Sequence, residues 1–326
     1  PGIQIEVNPL RVYPLGAAGA QVLGYVGEAG PDDKDADGNP YTTATLIGRA
    51  GIERKYNQYL EGKNGSKTIE VNASGQPVGY VGGTPAVSGN NIRLTLDANL
   101  QKAAEDAIDS QVKILAKSGI YATGASAVAI DPNSGAVLAM VSEPSYDPNR
   151  FSKGISTADW NQIIDNKNHP MQNRTIASMY PPGSLFKVVT GAAALEAKVM
   201  SPTERIFDSG KHWLVDKRNA QGEAFGWIDF YEALEKSDNV YFYEMGRRLG
   251  IDKLSQMARE FGLGKPTGID LAGEADGNVA SEEYKKKVFD QDWYLGETMD
   301  AAIGQSYTLT TPIQMAMVYS SIANGG

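Results

Sequence analysis

The sequence contains no cysteine, which removes disulfide staples, thiol catalysis and thiolate metal sites together. Only two histidines occur, so a Ser-His-Asp triad has almost no candidates. Of these, His169 precedes Pro170 in a polar stretch and reads as solvated. No apolar run approaches the ~18 residues of a membrane span, and no basic flank precedes an apolar run as in a signal peptide. Positive charge is scarce: 30 Lys and Arg against 39 Asp and Glu leave a net −9, so no nucleic-acid partner is expected. A starting methionine is also missing, and the opening Pro1-Gly2-Ile3 reads as the interior of a longer protein.

What remains is a globular composition, 41% hydrophobic and 21% charged, in a chain of 326 residues that has room for two cores. Residues 1–95 are rich in glycine and in alternations such as Ile3-Gln4-Ile5-Glu6-Val7 and Thr68-Ile69-Glu70-Val71, which predict short strands. Gly51-Ile52-Glu53 leads into a short helix carrying Tyr56, Tyr59 and Leu60 and ending near Gly62. The run Asp33-Lys34-Asp35-Ala36-Asp37-Gly38-Asn39 matches half of a calcium loop. Its twelfth position is Ala44 where a bidentate Glu is needed, so Asp33, Asp35 and Asp37 are expected to form a solvated acidic turn.

Asp97 caps a predicted helix from about Ala98 to Lys117 with a stripe of Leu100, Ala104, Ile108, Val112 and Leu115. Apolar runs at 125–130 and 136–141 flank the turn Asp131-Pro132-Asn133-Ser134-Gly135, predicting a hairpin within a central antiparallel sheet. A polar loop is expected from Glu143 to Arg174. Helices follow over 231–236 and, beyond the polar break Ser237-Asp238-Asn239, along the run from Val240. Others are expected over 252–261 and 312–323, the last opened by Thr311 as N-cap.

The chemistry gathers at Tyr180-Pro181-Pro182-Gly183-Ser184, where two prolines are expected to hold the chain extended before a helix that begins near Ser184. Ser184 and Lys187 would share one face of its first turn. A serine hydroxyl needs a base within reach, and a lysine serves if burial brings its pKa down. The helix N-terminus adds N–H groups and partial positive charge beside a developing oxyanion. Ser110 and Lys113 repeat the spacing, but late in an amphipathic helix where both read as solvent-facing. Ser237-Asp238-Asn239 lies 53 residues beyond Ser184 (237 − 184) and presents a polar pair between two helices. Glu143, Asp147 and Asp208 have no partner in sequence and read as solvated. Asp208, His212 and Asp216 recur every four residues, yet Gly210 interrupts them and they read as surface rather than a metal site.

Ser-x-x-Lys followed by Ser-x-Asn resembles the motif set of the penicillin-binding proteins and serine β-lactamases. The likeness is greatest to class B penicillin-binding proteins of the elongation type. It extends through Gly51-Ile52-Glu53, Ala129-Ile130-Asp131-Pro132, Phe261-Gly262-Leu263-Gly264, Thr311-Pro312-Ile313-Gln314 and Ile322-Ala323-Asn324-Gly325-Gly326. The resemblance implies an α+β fold, with a transpeptidase domain of central antiparallel sheet and helical layers over 96–326 and a smaller β-rich pedestal or interaction module over 1–95. It implies a peptidoglycan D,D-transpeptidase. In such an enzyme Ser184 attacks D-Ala-D-Ala, Lys187 takes its proton, Ser237 relays a proton to the leaving amine and Asn239 holds a substrate amide. It implies no cofactor and no metal. Its partners would be stem peptides, β-lactams, a membrane glycosyltransferase and elongation proteins. The protein would sit on the outer side of a bacterial cytoplasmic membrane, anchored by an N-terminal helix absent from this chain.

The family's third motif, Lys-Thr-Gly, is missing. Lys265-Pro266-Thr267-Gly268 is a near miss in a loop after the predicted helix, and the chain is expected to stop before the motif's strand. Loss of one oxyanion donor typically costs ~10²–10³ in rate, so weak activity is expected of these residues alone. Two rivals remain at this stage, a non-catalytic β-lactam sensor or scaffold and a β-lactamase.

Overall fold

The computed structural model describes residues 10–35, 37–41 and 45–326; the strand expected at Ile3–Val7 lies outside them. Two compact units are each assembled from separated stretches. The first takes residues up to Gly124, Ser142–Gln172 and Asp270–Ala272; the second takes Ala125–Val141, Asn173–Ile269 and Gly273–Gly326. No helix among the described residues is long and apolar enough to cross a membrane.

In the first unit, strand β1 (Val26–Glu28) pairs antiparallel with β2 (Leu46–Gly48), and β3 (Ser66–Val71) with β4 (Pro77–Thr84). The turn of the second pair is closed by Asn72, whose Oδ1 accepts the N–H groups of Ser74 and Gln76, while Gly75 takes φ +75°. Gln21, buried, donates from Nε2 to the carbonyls of Ser142, Pro144 and Pro170 at 3.0, 3.3 and 2.8 Å. It thereby ties the 142–172 stretch to the 20s. An aromatic cluster of Tyr25, Tyr146, Phe151 and Trp160 completes the small core.

Helix α1 (Ala98–Lys117) starts where expected, with Asp97 accepting the N–H groups of Asn99 and Leu100. Its apolar stripe is less deeply buried than the sequence implies: Leu100 is exposed, and Ala104, Ile108, Val112 and Leu115 are half-buried. Ser110 and Lys113 point to solvent and Lys113 pairs with Asp109, so the second Ser-x-x-Lys is a surface feature. The polar stretch after Glu143 is more ordered than a loop. It holds α2 (Thr157–Ile164), whose N-cap Ser156 accepts the Asp159 N–H at 3.1 Å. In the half-calcium sequence, Asp33 accepts from the Gly30 N–H and pairs with Arg49, while Asp35 accepts the N–H groups of Asp37 and Asn39. Both carboxylates are thus engaged by the turn and its neighbour; Ala36 and Ala44 lie outside the described residues.

In the second unit, β5 (Ala125–Ile130) and β6 (Val137–Glu143) form the predicted hairpin, two-stranded among the described residues, with the last two residues of β6 counted in the first unit. Most of the core is helical. It is built on α3 (Lys187–Glu196), α4 (Phe230–Glu235), α5 (Asn239–Leu249), α6 (Ile251–Glu260), α7 (Leu295–Ala302) and α8 (Pro312–Asn324). Helix α5 is central: eight of its eleven residues are buried, Tyr241, Phe242 and Met245 among them. Gly246 lets α7 approach closely, since a Cβ there would stand 2.7 Å from Ala302 Cβ. A short pair, β7 (Ile206–Asp208) with β8 (Gly226–Ile228), brackets an irregular excursion.

That excursion corrects two expectations. Asp208 and His212, read as surface, are each 1% exposed. His212 Nε2 lies 3.2 Å from Glu244, and Asp208 is saturated with N–H donors. Only Asp216 stays in solvent, paired with Lys211 and Arg218.

Glu244 itself is buried. Burial alone would raise its pKa, but hydrogen bonds from Arg247, Arg248 and His212 outweigh that and bring it down to about 2. The carboxylate therefore stabilises the fold fully above its ordinary pKa of 4.5, and that stability is lost as pH falls through about 2. Glu244→Ala is expected to cost about 3 kcal/mol in urea unfolding at pH 7 and to flatten the acid limb of stability. An unchanged acid limb would contradict this role.

Candidate active site

Ser184 is positioned by a turn rather than by an extended entry. Pro182 is already helical, with ψ at −20°, Gly183 reverses the chain at φ +57°, and one 3₁₀ turn over Gly183–Phe186 leads into α3. The helix thus begins at Lys187, with the tighter turn common at helix starts carrying Ser184. The entry is pinned from the 304–310 segment: Tyr180 and Thr310 exchange N–H···O bonds of 2.9 Å each, and the Gly183 N–H meets the Gly304 carbonyl at 2.9 Å. Thr190 donates to the Ala302 carbonyl at 2.7 Å one turn deeper.

The second motif lies between α4 and α5. Ser237 adopts φ +54°, uncommon for a residue with a Cβ, and Asp238 caps α5 by accepting the Tyr241 N–H at 3.0 Å. Ser237 Oγ donates to Ser184 Oγ at 2.9 Å. Lys187 Nζ donates to Ser237 Oγ at 3.1 Å, to the Ser237 carbonyl at 2.6 Å and to Asn239 Oδ1 at 2.7 Å. No hydrogen bond joins Lys187 directly to Ser184 among the described residues; Ser237 stands between them.

Lys187 is 1% exposed and its Nζ lies 5.5 Å from the centre of the Phe242 ring. Burial lowers its pKa from 10.5 to about 8, with Asp238 pulling weakly the other way. Burial raises Asp238, whose Oδ2 has no hydrogen-bond partner. The lysine is therefore close to shedding its proton near neutrality, and both hydroxyls remain accessible.

All four predicted residues, Ser184, Lys187, Ser237 and Asn239, are brought together here. Lys265 is not part of the cluster: its carbonyl accepts from Gln314, and Thr267 and Gly268 are held by the Glu274 carboxylate. Asp147 caps a 3₁₀ turn by accepting the Asn149 N–H. Sequence reasoning missed Asn219, a buried side chain whose Oδ1 accepts the N–H groups of Asn239 and Val240. Nothing in its local pattern marks it. No cluster of three or more His, Cys, Asp or Glu residues able to hold a metal occurs among the described residues.

Comparison with known proteins gives this cluster a setting. Residues 125–326 match the penicillin binding protein transpeptidase domain, and residues 1–94 match the penicillin-binding protein dimerisation domain. The whole chain aligns with the peptidoglycan D,D-transpeptidase MrdA of Salmonella typhimurium at 37% identity over 334 residues, covering 52% of that relative. It also aligns in full with stage V sporulation protein D of Bacillus subtilis, at 32% identity and 45% of its length. The chain thus spans about half the length of the curated relatives it matches. A crystal structure of Pseudomonas aeruginosa PBP2 in complex with WCK 5153 superposes with a TM-score of 0.81 at 36% identity, covering 98% of this chain and 66% of that one. Helicobacter pylori PBP2 in complex with MreC superposes at 0.84 and 34% identity, covering 97% and 57%. With the transpeptidase model matching well over half of the residues, the chain belongs to the class B penicillin-binding proteins.

Proposed function

We propose that this chain carries the acylating centre of a peptidoglycan D,D-transpeptidase of the elongation type. The observation that supports it most is the hydrogen-bonded run from buried Lys187 through Ser237 to exposed Ser184. Ser184 Oγ attacks the carbonyl carbon of the penultimate D-alanine of a stem peptide while its proton passes by way of Ser237 to neutral Lys187. The tetrahedral intermediate collapses, the C–N bond breaks, and the same proton returns through Ser237 to the departing D-alanine amine. An acyl-enzyme on Ser184 remains. The amine of a neighbouring stem then attacks it, losing a proton to Lys187; the ester C–O bond breaks, and that proton passes through Ser237 to Ser184 Oγ, restoring the hydroxyl and the neutral lysine. With Asn239 Oδ1 engaged by Lys187, its Nδ2 is the group that would donate to a substrate backbone carbonyl.

A β-lactam offers the same carbonyl geometry and would acylate Ser184. In this reading residues 1–95 serve as a pedestal or interaction module and 96–326 as the catalytic domain. The likeness to PBP2 captured with MreC supports an elongation protein as partner; a membrane glycosyltransferase as a further partner and a membrane-anchored place outside the cytoplasm belong to the same proposal.

The test is intact mass after incubation with a β-lactam, followed by peptide mapping. One stable adduct on Ser184, formed slowly and absent in Ser184→Ala, is the expected result. Rapid turnover of the β-lactam would point to a lactamase, and no adduct on any residue would reject the catalytic reading.

A further inference from the structure

Asn219 sits within the β7–β8 excursion, 18 residues from Ser237 (237 − 219), and is 7% exposed. Its amide uses every hydrogen-bonding position it has. Oδ1 accepts the N–H groups of Asn239 at 2.8 Å and Val240 at 3.0 Å; Nδ2 donates to Asp208 Oδ2 at 2.8 Å and to the Glu223 carbonyl at 3.1 Å. Asp208 is fixed in turn by the N–H groups of Gly210 at 2.7 Å and Phe225 at 2.9 Å. Its Oδ2 therefore cannot swing away from Asn219 without stranding a buried donor.

The two N–H groups Asn219 takes are the first of α5, which have no partner within the helix. Asp238 already caps this helix through Tyr241, so Asn219 adds a restraint on the segment that bears the site. Of the two residues it holds by the backbone, Asn239 presents Oδ1 to Lys187 Nζ; Ser237, two residues earlier, presents both its carbonyl and Oγ to the same nitrogen. The Asp208–Asn219 pair thus sets where Asn239 Oδ1, one of the three acceptors of the lysine, lies. Small displacements at such a site are costly to rate.

We infer that Asn219 is a positioning residue for acylation, acting by its Oδ1 on the Asn239 backbone, with Asp208 as the residue that fixes Asn219. This rests on the acylation proposed above. Two readouts on the full chain separate the two ideas. The first is amide hydrogen exchange, which needs no activity. Asn219→Ala is expected to speed exchange at residues 239–241 by about tenfold or more, with the rest of the second unit near the parent. Unchanged exchange, or an equal rise throughout the second unit, overturns the inference.

The second readout is the rate of labelling by a fluorescent penicillin in a double-mutant cycle. Asn219→Ala is expected to slow labelling about tenfold or more in the parent but less than about threefold in an Asn239→Ala background, because the Asn239 Oδ1 it places is already gone. Equal losses in both backgrounds mean general weakening of the fold and overturn the positioning role. If the parent chain takes no label at all, the function proposed above fails, and the exchange result alone decides for or against the Asn219 contact.

Discussion

Replacing Lys187 by alanine is expected to slow β-lactam acylation of Ser184 by about 10²–10⁴-fold, the range by which a positioned general base contributes. The same residue should impose a pH dependence. Its neutral form is the base, and burial holds its pKa at about 8. The acylation rate should therefore rise with pH between 6 and 9, with a midpoint near 8, and the rise should vanish in Lys187→Ala. A rate independent of pH over that interval would remove Lys187 as the base. Stability carries the same signature with its own sign. Between about pH 8 and the ordinary lysine value of 10.5 the unfolded chain binds more protons at this residue than the folded one, so stability rises with pH across that window. Lys187→Met, which cannot titrate, should lack that increment when melting is followed against pH.

How much of this was readable in one dimension follows from the range over which each feature is encoded. Ser184 with Lys187, and Ser237 with Asn239, lie within single turns, so their spacing alone implied shared faces and a polar pair between helices. Capping is equally local: Asp97, Thr311 and the Asp131 turn behave as their residue types prescribe. The features missed depend on distant partners. Asp208 looked solvated because acidic residues in irregular stretches usually are, yet three N–H donors drawn from 210, 219 and 225 bury it at 1% exposure. His212 was misread for the same reason, its partner Glu244 lying 32 residues away. The entry to Ser184 was drawn too straight, because Pro182 has its φ fixed but, followed by glycine, keeps a free ψ, and the bend is completed by Gly183 and the 304–310 segment.

That segment supplies the other large expected effect. Gly304→Ala should reduce acylation of Ser184 by about 10²-fold or more, although residue 304 contributes no side chain to the chemistry. Gly304 holds φ +72°, and a Cβ there would stand 2.2 Å from the Gly183 carbonyl oxygen, 2.7 Å from its nitrogen and 2.7 Å from Phe186 Cβ. Two of these atoms are backbone of the turn that carries Ser184, so the clash cannot be relieved by a rotamer change. The turn must move, and the Gly183 N–H bond to the Gly304 carbonyl goes with it. Gly183→Ala is the control. Its φ of +57° is also left-handed, but an added Cβ meets nothing within 4 Å, so the cost is conformational strain of about 1–2 kcal/mol with the hydroxyl left in place. Melting temperature and penicillin labelling measured together distinguish the two substitutions. Gly304→Ala should lose labelling well below its melting temperature, whereas Gly183→Ala should keep most of its labelling rate in the cold. Equal labelling by both would show that the Gly183–Gly304 contact does not set the position of Ser184, and the turn would then have to be held by the contacts that remain, those of Tyr180, Thr310 and Thr190 and of the Tyr319 hydroxyl with the Leu185 carbonyl.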